Sequence, residues 1–172
     1  MKKNYTMRIE GTRIYLTPLT VFDLTKTLEW RTKDRIKNSF FDEDLSFEKH
    51  LNWYYDEYNH PKHDEDDFVF IILDDHTPVG QIAIYNIDYE KKSAEFGRLM
   101  LGEDKYLRKG YATLASKELL KFSFNILGLD HIYLSVKKDN TKAINLYEKL
   151  GFKTNYKADG WINMCLDKEN YV

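Results

Sequence analysis

Leu99-Met-Leu101, then Leu107-Arg-Lys-Gly110-Tyr-Ala112, then Ile132-Tyr-Leu-Ser-Val136, then Asn140-Thr-Lys-Ala-Ile-Asn-Leu-Tyr147-Glu-Lys-Leu-Gly151-Phe152: these four runs, in this order, decide the fold. The first ends a strand. The second starts a long helical pattern with a glycine and two cations, Arg108 and Lys109. A helix N-terminus leaves a row of backbone N–H groups unpaired and carries partial positive charge, so it holds an anion well. The third run is a strand, and the fourth is a helix that brings Tyr147 one strand away, within reach of a ligand held at the first helix. Together they point to a diphosphate-bearing acyl carrier and a group transfer beside it.

Working outward, the chain alternates strands and helices. Arg13–Thr17 alternates as a strand and Pro18 ends it. Thr20 and Asp23 have the spacing of a capping box, and Leu24, Leu28 and Arg31 follow at helical spacing. Ser46 to about Tyr58 reads as a second helix, with Phe47, Leu51, Tyr54 or Tyr55, and Tyr58 on its core face. His50, Trp53 and Glu57 fall on the opposite face. Phe68–Leu73 and Val79–Ile87 read as a hairpin, and Ala94–Leu101 as the next strand. Helices over Lys109–Leu127 and Thr141–Leu150 end at Gly128 and Gly151. Two closing strands flank Asp159-Gly160. The predicted order is β-α-α-β-β-β-α-β-α-β-β. It describes an α/β (α+β) layer with a mixed sheet, in one domain over residues 1–172.

Composition narrows the function classes. With 42% hydrophobic residues, 31% charged and a net charge of −2, the profile is that of a soluble globular chain, with no basic excess to argue for nucleic acid. No apolar run approaches the ~18 residues of a membrane span. Met1-Lys-Lys-Asn-Tyr-Thr-Met-Arg has no apolar segment after its lysines, unlike a signal peptide. The single cysteine, Cys165, excludes an internal disulfide and reads as a core residue. A cytoplasmic protein is the expectation, and a homodimer is compatible with it. His60, His63, Asp64 and Asp66 match no common metal spacing, so no metal is expected.

Taken whole, the motifs resemble the GNAT superfamily of acetyl-CoA-dependent N-acetyltransferases, over nearly the full chain. The resemblance implies that acetyl-CoA is the cosubstrate and that the sheet is mixed and mostly antiparallel, with helices on both faces. The family's diphosphate loop reads Gln/Arg-x-x-Gly-x-Gly/Ala. Gly110 and Ala112 meet its last two fixed positions, whereas Leu107 occupies the first and Arg108 comes one place late. By resemblance, backbone groups of Leu107, Arg108, Lys109, Gly110, Tyr111 and Ala112 hold the diphosphate, and Asn140 bonds the pantetheine arm. Tyr147 acts as general acid toward the leaving thiolate, a role that suits a phenol with a pKa near 10. The Leu99 N–H polarises the acetyl carbonyl, and Leu101 pairs with pantetheine. Glu95, expected on the same strand face as Gly97, Leu99 and Leu101, takes the proton from the acceptor amine, itself or through water, with water alone as the alternative base.

The first 60 residues are expected to shape the acceptor pocket. Trp30-Arg31 and the run Ser46–Tyr54 resemble stretches of the branch that contains ribosomal-protein N-terminal and amino-sugar acetyltransferases. Trp30, Arg31, His50 and Trp53 are therefore the candidate substrate-binding residues, with Arg31 and Arg35 as phosphate ligands. The expected acceptor is a small-molecule primary amine, such as an amino sugar on a nucleotide. A polyamine and a protein N-terminus are the alternative acceptors. A non-catalytic acyl-CoA-binding module is the alternative from another class.

Overall fold

Eight strands form one sheet in the computed structural model, which describes residues 4–39 and 45–171. They are β1 (Met7–Arg8), β2 (Ile14–Pro18), β3 (Phe68–Asp74), β4 (Thr77–Asp88), β5 (Ser93–Leu101), β6 (His131–Lys137), β7 (Lys153–Ala158) and β8 (Trp161–Asp167). Their order across the sheet is β1-β2-β3-β4-β5-β6-β8-β7, and every neighbouring pair is antiparallel except β5–β6. The helices are α1 (Leu24–Arg31), α2 (Asp34–Lys37), α3 (Phe47–Trp53), α4 (Tyr111–Asn125) and α5 (Thr141–Lys149). The predicted order is present, with two additions too short to carry a periodic signal: the two-residue β1 and the four-residue α2.

Helices cover both faces. On one, α4 and α5 bury Ala115, Leu119, Tyr147 and Leu150 against Ile82, Ile84, Phe96 and Leu134. On the other, Leu24, Tyr54 and Tyr58 pack on Val69, Ile71 and Ala83. The turn chemistry acts as expected. The Asp23 carboxylate accepts from the Thr20 N–H at 2.8 Å, and Gly128 and Gly151 take the positive φ of left-handed helix ends. Among the described residues no helix is long and apolar enough to cross a membrane.

Two features depart from simple periodicity, and both shape the site. First, β5 carries a bulge: Met100 pairs with Gln81 but Gly97 with Ala83, so Arg98 and Leu99 oppose Ile82 alone, with Arg98 at φ +52°. The bulge reverses side-chain parity. Glu95 and Gly97 lie on the face of α1 and α3, whereas Leu99 and Leu101 pack with the core beneath α4. The expectation of a shared face is thus corrected. Second, α3 widens into a π turn over Tyr54–Tyr58, closed by a bond from the Asn59 N–H to the Tyr54 carbonyl (2.7 Å). The five-residue spacing stacks Trp53 on Tyr58 (5.2 Å). Trp53 therefore turns inward, and Phe47, expected in the core, is left exposed.

Candidate active site

β5 and β6 pair only from Ser93–Glu95 to His131–Tyr133 and then part. Parallel strands that diverge leave unpaired backbone groups along both edges. Their direction follows from the β4 ladder. The Val79 carbonyl accepts from the Gly102 N–H (2.8 Å), so Gly80–Leu101 is a non-hydrogen-bonded pair. The N–H and C=O of Leu101 then point into the opening, and those of Leu99, two residues back, do the same. The Leu101 carbonyl is already engaged by Arg35 Nη1 (2.7 Å).

A cavity of about 890 Å³ runs through this opening from one sheet face to the other. Leu107, Arg108, Gly110, Tyr111 and Ala112 line one end, Asn140 and Tyr147 one wall, and Glu95, Arg31 and Arg98 the far end. Gly110 caps α4 at φ +85° with no side-chain bond of its own, so the N–H groups of the first turn stay unpaired and aimed at the cavity. The left-handed backbone at Arg108 (φ +61°) and Gly110 folds this loop into a shallow nest. Lys109 is exposed and stands outside the cavity.

Tyr147 is buried, its ring edge-on to Phe96 and Phe152 (both 5.9 Å between centroids). Burial pushes its phenol up to about 12, so it stays protonated at neutral pH. Asn140 Oδ1 caps α5 by accepting from the Ala143 N–H (3.3 Å), which leaves its side-chain N–H groups for another partner. Glu95 Oε2 accepts from Asn86 Nδ2 (3.0 Å).

Several expected acceptor residues have other work. Trp30 is fully buried with Ile36 and Met100, its ring lies against Gly102, and its Nε1 donates to Glu103 (2.9 Å). Arg35 does not wait for a phosphate: it donates to the Leu101 and Gly102 carbonyls and pairs with Asp104 (2.7 Å). Both pin the corner between β5 and the loop before α4. His50 stacks on Trp53 (5.5 Å), with Nε2 3.2 Å from Thr27 Oγ1, and neither ring lines the cavity. Among these expectations Arg31 and Arg35 line the cavity, Arg35 with its guanidinium already engaged. Arg98, Tyr85, Ser135 and Trp161 face it too, and nothing in their local spacing singles them out. Cys165 is half-buried and faces away from the core.

Burial, then the charges of Arg31 and Arg98, lower the His50 pKa to about 4. The unfolded chain binds this proton near the ordinary 6.5, so folding is at full strength above that pH and weakens as pH falls from 6.5 toward 4. Urea midpoints measured across this window are expected to fall with pH, and more steeply than those of His50→Gln. Parallel curves would show that His50 is not the titrating group.

The loop and cavity fit a nucleotide thioester: unpaired amides for a diphosphate, an open strand edge for a pantetheine amide, and a protonated phenol at the wall. Residues 13–153 match the acetyltransferase (GNAT) domain, and the chain belongs to this family of acetyl-CoA-dependent acetyltransferases. Spermidine N(1)-acetyltransferase of Escherichia coli K12 is 28% identical over 169 residues, 92% of this chain and 88% of that protein. Acetyltransferase PseH of Campylobacter jejuni is 27% identical over 142 residues, 83% of this chain and 84% of that protein. The crystal structure of the Vibrio cholerae spermidine N-acetyltransferase in complex with CoA and spermine superposes with a TM-score of 0.77 at 27% identity, covering 92% of this chain and 98% of that one. Among the described residues no group of three or more His, Cys, Asp or Glu side chains converges as metal ligands would.

Proposed function

We propose that this acetyltransferase acetylates the primary amine of a small anionic acceptor, best represented by an amino sugar on a nucleotide. The observation that carries this reading is the charge at the far end of the cavity. There, Arg31 and Arg98 stand with Glu95, Asp67 meets Arg98 at 4.0 Å, and Arg35 pairs with Asp104. The planar donor forks of Arg31 on α1 and Arg98 on β5 suit phosphate oxygens at that end of the cavity.

The amides of residues 108–112 bind the diphosphate and aim the thioester into the opening. The Leu99 N–H donates to the acetyl oxygen as it gains charge. Asn140 holds the pantetheine arm. Glu95 receives the amine's proton as the nitrogen attacks the acetyl carbon. Tyr147 gives its proton to the departing sulfur and recovers one from solvent. Leu107 contributes its backbone to the loop, with no side-chain bond at that position.

The spermidine enzymes among the relatives support a polyamine as the second reading. Initial rates of CoA release with a UDP-linked amino sugar, spermidine and a free-N-terminal peptide decide between them. The sugar nucleotide is expected to exceed spermidine at least ~10-fold in kcat/KM, about 1.4 kcal/mol of transition-state preference. The reverse order would transfer the assignment to polyamines, and a peptide preference would transfer it to protein N-termini.

A further inference from the structure

Glu95 stands far from where the acetyl carbon would lie. It precedes Leu99 by four residues, about 13 Å of extended strand before the bulge shortens it. The bulge also sends their side chains to opposite faces. A glutamate side chain does not span that separation.

Tyr85 fills it. It pairs with Glu95 across β4 and β5 and lines the cavity. Its ring leans along the sheet, so that its hydroxyl lies over Gly97: a β-carbon added there would sit 2.8 Å from the phenol oxygen. The Arg98 guanidinium covers the ring at 4.5 Å, held from behind by Trp53 at 5.2 Å. Burial first, and then the neighbouring Glu95 carboxylate, raise the Tyr85 pKa, so the phenol is protonated at neutral pH. Asn86 fixes the carboxylate from its other side.

We propose that Tyr85 is a catalytic residue that relays the acceptor's proton to Glu95. The phenol oxygen accepts a proton from the ammonium, an N–H bond breaking as an O–H bond forms. In the same step the original phenol proton passes to a Glu95 oxygen. Tyr85 is neutral before and after, the freed nitrogen lone pair attacks the acetyl carbon, the second N–H proton passes to solvent water as the amide forms and the C–S bond breaks, and Glu95 later returns its proton to water. Gly97 is required because any side chain displaces the hydroxyl. The inference rests on the reading of Glu95 as the base.

The groups facing this relay are Arg98 on β5, Asp67 before β3, and Tyr133 on β6, whose pKa is also raised by burial. Beyond Arg98 lies His50 on α3, neutral above about pH 4. The amine is therefore the group whose ionisation governs the rate near and above neutrality.

The test compares wild type, Tyr85→Phe, Glu95→Gln, the double variant and Gly97→Ala from about pH 6 to about pH 10. The acceptors are the UDP-linked amino sugar and spermidine. At pH 7 kcat/KM is expected to fall about 100-fold in Tyr85→Phe and Gly97→Ala. It should then climb about tenfold per pH unit as solvent deprotonates the amine, while calorimetry shows unchanged acetyl-CoA affinity. The double variant should lose no more than Glu95→Gln. A wild-type profile in Tyr85→Phe, a pH-independent loss, or losses that multiply would overturn the relay while leaving the acceptor assignment intact. A wild-type enzyme inactive on both acceptors would remove the acceptor assignment and the relay together.

Discussion

Tyr147→Phe is expected to lower kcat by about 100- to 10,000-fold, the usual contribution of a positioned general acid, with acetyl-CoA affinity unchanged. The substitution removes one hydroxyl from a buried ring. The edge-on packing against Phe96 and Phe152 is kept, so the fold and the cavity wall persist. In the proposed mechanism, what is lost is the proton for the departing sulfur. Because burial holds the phenol up to about 12, the proposed acid is protonated across the working range. The loss should therefore be flat with pH, unlike the recovering profile expected for Tyr85→Phe. An acyl donor with a less basic thiol leaving group needs less help and should narrow the gap between variant and parent. A Tyr147→Phe enzyme at parental kcat would remove Tyr147 from the chemistry.

The second large effect concerns stability. Trp30→Ala is expected to cost about 3–5 kcal/mol, the range for emptying a buried aromatic site, against a total of about 5–15 kcal/mol for a typical protein. The ring is fully buried and fills the space over Gly102, where even a β-carbon would lie 2.1 Å from it. Its Nε1 also holds Glu103, which Lys26 pairs at 2.9 Å. The indole bond and the Lys26 contact hold the Glu103 carboxyl down to about 2. The cavity left by alanine would loosen the corner that Arg35 clamps, and that corner leads directly into the loop before α4. Acetyl-CoA affinity should weaken along with the fold. Urea unfolding at constant m reads the loss, and Trp30→Phe should lose less because most of the ring volume remains. A loss below about 1 kcal/mol, the cost of an ordinary substitution, would contradict the structural role.

Much of this was legible in order and spacing. The turn glycines, the capping residues and the alternation of Ile132–Val136 are local signals, and each gave its element. The glycine-started helix α4 and the helix carrying Asn140 and Tyr147 are legible because a helix start with open backbone amides needs only local capping residues and helical spacing. The acceptor side was not. An aromatic residue on a short helix reads alike whether it faces substrate or packs inward. Trp30 was taken by the small cluster with Ile36 and Met100, and Trp53 was turned inward by a π turn that ordinary helical spacing conceals. Arg35 looked free for a phosphate until two carbonyls 66 and 67 residues away claimed it.

By itself the chain determines the succession of elements, the family and the amide-lined helix start, because these depend on residues close together in sequence. The assignment of faces around the catalytic strand was settled only by tertiary structure. A bulge is a mismatch between two strands, and no property of Glu95–Leu101 alone announces that Leu99 turns one way and Glu95 the other. With that mismatch go the opening between β5 and β6, the place of Tyr85 over Gly97 and the turn of Arg98 toward Tyr85 and Trp53.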